Sequence, residues 1–310
     1  MPMEKFIYQK PEQPKLTETQ ERLEKKFDLK KQYQEQVKAL IETNVIELLP
    51  DSGKLGVYDI NNQECPIPSY EEILKRMEKN AEFLEKKKEQ GFTKLLLVPI
   101  GTPLSFLIDR TRDLIVKKHK QGKLLGTDGE KLELNESQPV YAGDIYKDAD
   151  KTGDLVYYPQ KFDKKNHGGK TKEEMIKETG GWQIELIEDL PDLPGEKKGK
   201  EVGGRKQMEA NQSPEQYLKT QQTDKQYEGE KFTTPEAQLM YFIQYLQTNN
   251  QVIDYFQGKG KGCWNAGTYF KGSGLVPSGF WFRDYGQFIL SWYIPVDLIG
   301  LSTVRSSVGV

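Results

Sequence analysis

Cysteine and histidine are scarce in this 310-residue chain, with two of each: Cys65 and Cys263, His119 and His167. Four such residues scattered over the whole length make no metal-ligand spacing, so no metal centre is expected. The two cysteines are numerous enough for one disulfide, but nothing in their spacing asks for it. Two free thiols in a reducing compartment are expected instead. An excess of basic charge is also missing, since 45 Lys and Arg face 47 Asp and Glu for a net charge of −2. Proteins that bind a nucleic-acid duplex normally carry such an excess, so no nucleic-acid partner is expected. Nowhere do about 18 apolar residues follow one another, which excludes a hydrophobic transmembrane helix and membrane insertion. The opening Met1–Phe6 lacks the apolar run of a signal peptide, so the cytoplasm is the default location, with the cell surface left open to signal-less export.

What is present is charge, 30% of all residues, against 35% hydrophobic residues. Much of the chain must therefore be solvated surface, loop or exposed helix, although the length suffices for one large domain or two ordinary ones. The spacing predicts a helical N-terminal region over residues 1–92. Thr17 and Gln20 form a capping-box pattern ahead of a charged helix over 17–43. Ser69 and Glu72 form another ahead of a helix ending at Gly91. A second region over 93–310 opens with a short buried strand at 94–100 and a helix introduced by Thr102-Pro103, with Thr102 as cap. Trp182, Ile184 and Leu186 alternate as one face of a strand. Residues 192–206 read as an exposed loop, and Ser213-Pro214 and Thr234-Pro235 each open a helix.

No catalytic constellation emerges. Gly258–Gly262 is rich in glycine and lysine, but Cys263-Trp264 follows where a phosphate loop needs Ser or Thr running into a helix. His119 and His167 sit among lysines without a partner acid. The acidic stretch Asp148–Asp154 is rich enough in oxygen for a cation but lacks the spacing of a calcium-binding loop. The composition points to a binding protein rather than an enzyme, with no cofactor.

The last part of the chain departs from the rest. Between Ala266 and Val310 stand nine aromatic residues and only five charged ones. Glycine and proline interrupt the segment too often for a helix, so loops and short strands are expected. Trp264, Trp281 and Trp292 are expected to anchor it in a core. Phe280, Phe282, Tyr285, Ile289, Ser291, Tyr293, Ile294, Val296, Leu298 and Ile299 are too crowded for all to be buried. They are the candidate ligand-binding residues, because an exposed apolar patch marks a contact surface.

Gly262-Cys263-Trp264, Gly267–Phe270, Pro277–Arg283 and Val304–Val308 together resemble the variable proteins of diversity-generating retroelements. The resemblance covers residues 230–310 closely and the rest only in general architecture. It implies a C-type-lectin fold of the formylglycine-generating-enzyme type, with 264–310 as the variable region. In that family adenine-directed mutagenesis rewrites Asn codons of the gene's 3′ end. Two mutated adenines in AAC or AAT reach Phe, Tyr, Ile, Leu, Val and Ser but never Trp, Gln or Lys. The candidate positions, with Leu301 and Ser302, hold only reachable residues, and no Asn follows Asn265. Between them stand the unreachable Trp281, Gln287 and Trp292. Leu301-Ser302-Thr303 departs from the family, where a glycine before Val-Arg is usual.

The fold expected is thus α+β: a C-type-lectin-like domain with short mixed or antiparallel strands, long loops and helical N-terminal additions. The function implied is monomeric binding of an unknown protein or cell-surface ligand. Two alternatives are an oxidase of the formylglycine-generating type, which would need paired cysteines, and a structural or adhesin module that oligomerises through the aromatic face.

Overall fold

A computed structural model describes residues 16–298, 300 and 302–310. Helix α1 (Glu18–Phe27) opens with the expected Thr17–Gln20 capping box. It ends at Asp28, whose φ of 52° is left-handed, and the chain restarts as α2 (Leu29–Glu42). The expected 17–43 helix is therefore two helices. Strands β1 (Glu47–Leu48), β2 (Leu55–Tyr58) and β3 (Glu64–Pro66) form a small antiparallel sheet. The Ser69–Glu72 box starts α3 (Tyr70–Glu78), and a break at Lys79-Asn80 separates it from α4 (Ala81–Glu89).

Strand β4 (Phe92–Val98) leads to α5 (Leu104–Lys120), capped at Pro103, one residue later than expected. Next come β5 (Val140–Ala142), β6 (Leu155–Tyr157), α6 (Lys172–Thr179), β7 (Gln183–Glu188), β8 (Glu201–Val202) and β9 (Arg205–Lys206). Ser213 and Thr234 cap α7 (Pro214–Thr223) and α8 (Pro235–Asn249), each with proline in the first turn; β10 (Glu230–Phe232) lies between them. The remainder is all strand and loop: β11 (Tyr255–Phe256), β12 (Gly262–Trp264), β13 (Thr268–Phe270), β14 (Val276–Phe282), β15 (Gln287–Tyr293), β16 (Ser302–Val304) and β17 (Ser306–Gly309). The described residues thus form a mixed α+β protein with eight α-helices and several small antiparallel or mixed sheets.

Two sheets carry the architecture. One has the order β10-β17-β7-β4, and the other runs β16-β12-β14-β15-β5 with β11 parallel to β14. All six residues of β7 are buried, not one face as expected: Ile184 and Leu186 join the apolar core, and on the opposite face the Tyr158 hydroxyl meets Gln183 and Glu185, each at 3.2 Å. Helix α8 packs on both β4 and β14. Residues 16–92 share this core. Gln36 of α2 accepts from Leu97 N at 2.9 Å and from Gln244 Nε2 of α8 at 2.8 Å, and one apolar cluster runs from Leu23 to Val308.

The 192–206 segment is exposed at Glu196, Lys197, Lys198, Gly203 and Gly204 but buries Leu193 and Arg205. Arg205 holds Glu230 through two bonds of 2.7 and 2.8 Å and lies between the rings of Phe92 and Tyr227. An arginine taken out of water needs such pairing, to which Glu188 adds an ion pair at 3.2 Å, and it fastens the β8–β9 hairpin to the first sheet.

Candidate ligand-binding surface

The hairpin β14–β15 sorts its side chains by strand alternation, since successive residues of a strand face opposite sides. Phe280 pairs with Ile289, Ser278 with Ser291, Val276 with Tyr293 and Phe282 with Gln287. These form one face. Trp281 pairs with Phe288, Gly279 with Leu290 and Pro277 with Trp292, forming the other. The second face is the packed one. Trp281 stacks on Phe242 of α8 with ring centres 6.5 Å apart, and Phe288 meets the same ring at 4.7 Å. Trp292 lies against Tyr146 at 6.3 Å and directly over Gly143, where any Cβ would collide with the indole.

The first face is covered by a second apolar cluster at one end. Trp264, Val276 and Val304 are buried beneath Met208, Tyr217 and Leu218, and Tyr293 closes on Trp264 edge-on at 5.2 Å. At the other end Phe256, Phe280, Phe282 and Tyr285 form an aromatic ladder. Phe256 lies 5.2 Å from Phe280 and 5.3 Å from Phe282, and Phe282 lies 4.3 Å from Tyr285.

The structure divides the expected contact residues into three groups. Tyr285, Ile294, Val296 and Leu298 are exposed by 60, 47, 61 and 58%. Only Ile41 and Leu48 join them as exposed large apolar side chains among the described residues. Phe280, Phe282, Ser291 and Tyr293 are half-buried. Ile289 is buried, contrary to expectation, because Phe280 and Tyr141 flank it on the neighbouring strands. Ser302, read as substitutable, is also buried, in β16 beside Gly262. Ile299 and Leu301 lie outside the described residues. Trp264 and Trp281 are fully buried anchors, and Trp292 is partly covered.

Sequence reasoning missed Phe256 and Tyr141. Phe256 stands just ahead of the glycine cluster 258–262, and its pairing with Phe282 brings it to the ladder. The dipeptide Tyr255-Phe256 was the available signal. Tyr141 comes from a strand more than 140 residues before β15, and no local pattern marks it.

Beneath the packed face lies a polar node. Arg305 donates to Asp254 Oδ1 at 2.8 Å and to the Leu190 carbonyl at 2.6 Å. Gln238 Nε2 donates to Asp254 Oδ2 at 2.7 Å and to the Gly279 carbonyl at 2.8 Å. The Trp281 N–H reaches the Asp254 carbonyl at 3.1 Å. Burial pushes the Asp254 carboxyl up to about 6, outweighing the pull of Arg305 and Gln238 in the other direction. Burial and the nearby Asp254 likewise push the Cys263 thiol up to about 12. Arg305 stands where the chain passes from β16 in one sheet to β17 in the other, so its role is structural, as are those of the buried Ser306 and Ser307.

Of the acidic stretch, Asp150 is committed within the protein. It accepts from Lys172 Nζ and from the Leu104 N–H, each at 2.8 Å. Lys172 also pairs with Glu236 at 3.0 Å. Asp154 accepts from the Gly272 N–H at 2.7 Å. Among the described residues no group of three or more His, Cys, Asp or Glu is placed to hold a metal ion, and no helix is long and apolar enough to cross a membrane. No known protein family, curated protein or solved structure matches the chain.

Proposed function

We propose that this chain is a ligand-binding variable protein of a diversity-generating retroelement, displaying changeable side chains on a C-type-lectin-like fold. One observation carries the reading. Of the hairpin residues, the candidate contact positions Phe280, Phe282, Ile289, Ser291 and Tyr293, all reachable from a mutated Asn codon, share a face, whereas the unreachable Trp281 and Trp292 stand on the packed one, beside Phe288 and Leu290, whose types are also reachable. Gln287 is unreachable yet lies on the changeable face; it is buried, with Asn135 Nδ2 3.4 Å from its side-chain oxygen. The exposed Tyr285, Ile294, Val296 and Leu298 continue the surface beyond the strands. Aromatic rings on such a surface give large contact area at low entropic cost. The partner would be a protein or cell-surface ligand bound by the monomer.

The oxidase alternative has little to stand on, because Cys65 and Cys263 lie on separate elements and no copper-type thiol pair forms. The test is genetic. The neighbouring DNA should hold a near-repeat of the 3′ end differing only at adenines, beside a reverse-transcriptase gene. Sister copies should change at 280, 282, 285, 291, 293, 294, 296 and 298 while keeping Trp281, Phe288, Leu290 and Trp292. Changes concentrated on the packed face would overturn the proposal.

A further inference from the structure

A second site lies away from the aromatic surface, where the loop after α2, the β1–β3 sheet and the start of α5 enclose a cavity of about 500 Å³. Val45, Ile46, Val57 and Phe106 give it apolar walls. Its frame is tied down. The Thr102 hydroxyl donates to the Tyr58 carbonyl at 3.0 Å, and the Ile60 N–H donates to the Gly101 carbonyl at 3.0 Å. A rigid cavity of this size with mixed walls is the usual form of a small-molecule site. Ile41 and Leu48, among the described residues the two large apolar side chains exposed outside the C-terminal region, flank the segment 44–47 that forms one wall.

The charges in the lining narrow the ligand. Arg110 rests over the Phe106 ring, its guanidinium carbon 5.1 Å from the ring centre. Its Nε–H is shut off from solvent without an acceptor. The nearest carboxylate oxygen, on Asp113, stands 3.7 Å away, and Asp113 is shared with Arg112. The Nε–H is thus closed to a ligand as it is to water, and the Nη groups, which make no hydrogen bond among the described residues, are what a carboxylate would meet. Two acids also line the cavity, Glu47, which is exposed, and Asp59, which is buried. Asp59 already accepts from the Asn61 and Gln63 N–H groups at 2.8 Å each. A simple anion would meet these two carboxylates, and a simple cation would meet Arg110. A neutral apolar molecule would leave the Arg110 donors unpaired.

We propose that the cavity binds a free amino acid with a large apolar side chain. The carboxylate lies on Arg110, the ammonium faces Glu47 and Asp59, and the side chain fills the space between Val57 and Phe106. The site is separate from residues 280–298, so its failure would leave the reading of that surface standing.

Titration calorimetry on the full chain tests this with L-phenylalanine, 3-phenylpropionate and phenethylamine. Phenylalanine is expected to bind saturably, and each analogue, lacking one charge, at least about tenfold more weakly, as for the loss of a charge-assisted hydrogen bond. Arg110→Met should weaken phenylalanine binding by about tenfold or more while leaving phenethylamine binding undiminished. Absence of saturable phenylalanine binding to the unaltered chain would overturn the proposal. So would 3-phenylpropionate binding as tightly as phenylalanine, or unchanged affinity in Arg110→Met. Should that variant fail to fold, the analogue series on the unaltered chain decides alone.

Discussion

Phe280 and Trp281 are neighbours in the chain but belong to different parts of the molecule. Trp281 stacks on Phe242 in the core, whereas Phe280 turns the other way onto Phe256. A single strand thus carries a structural residue and a displayed one side by side, and their substitutions should have unequal effects.

Trp281→Ala removes a fully buried indole. It should cost about 3–5 kcal/mol of stability, as expected for emptying a core aromatic site. Phe280→Ala should cost about 1 kcal/mol or less, because its ring is only half-buried. Urea unfolding followed by tryptophan fluorescence measures both. Equal losses would mean that the two faces are not distinct.

Asp254 predicts a pH dependence. Its carboxyl is pushed up to about 6 by burial, whereas an unfolded Asp titrates near about 3.9. Between those values the folded state holds a proton that the unfolded chain has lost. This group's stabilisation is therefore complete below about 3.9 and disappears as pH rises through the folded value. Denaturation midpoints measured from pH 4 to 8 should show this falling component in the unaltered protein. Asp254→Asn should lack it, whatever its overall stability. Identical slopes in the two proteins would count against the assignment.

Lys172 holds Asp150 and Glu236 together inside the protein, at 2.8 and 3.0 Å. Burial alone would raise the Asp150 carboxyl, but Lys172 and the Leu104 N–H hold it below the usual aspartate value. Lys172→Met leaves two buried carboxylates without a counter-charge and should cost about 3–5 kcal/mol. Chemical denaturation at neutral pH reads this directly, and a loss within experimental error would show that water reaches the pair.

Both thiols should be inert in the folded protein. Burial, aided by Asp59, pushes Cys65 up to about 11, and Cys263 stands at about 12. The reactive species is the thiolate, so a disulfide reagent such as DTNB at pH 8 should label neither cysteine until the chain unfolds. A fast-reacting thiol in native buffer would contradict the burial described above.

The helix starts were legible in the sequence because capping is local. Thr17 with Gln20, Ser69 with Glu72, Ser213-Pro214 and Thr234-Pro235 all act within one turn. The break at Asp28 was not, since charged helical periodicity runs on through it. The strands of the C-terminal region were expected to be short, yet β14 and β15 have seven residues each. Pro277 and Gly279 read as breakers. Pro277 sits within β14, its carbonyl accepting from the Asn265 N–H at 2.9 Å. Gly279 leaves room for the Gln238 amide against the strand. The candidate contact residues were legible as a composition, but which of them face outward depends on pairing. Ile289 is flanked by Phe280 of its own hairpin and by Tyr141 of β5, which comes from far earlier in the chain.

Strand β17, residues 306–309, lies between β10 and β7 in the interior of its sheet. On the ribosome, therefore, the polypeptide cannot close its core until residue 309 has left the exit tunnel. Until then β7 and β10 present unpaired edges, the kind of surface that chaperones shield. A chain lacking residues 306–309 would leave both of those edges open.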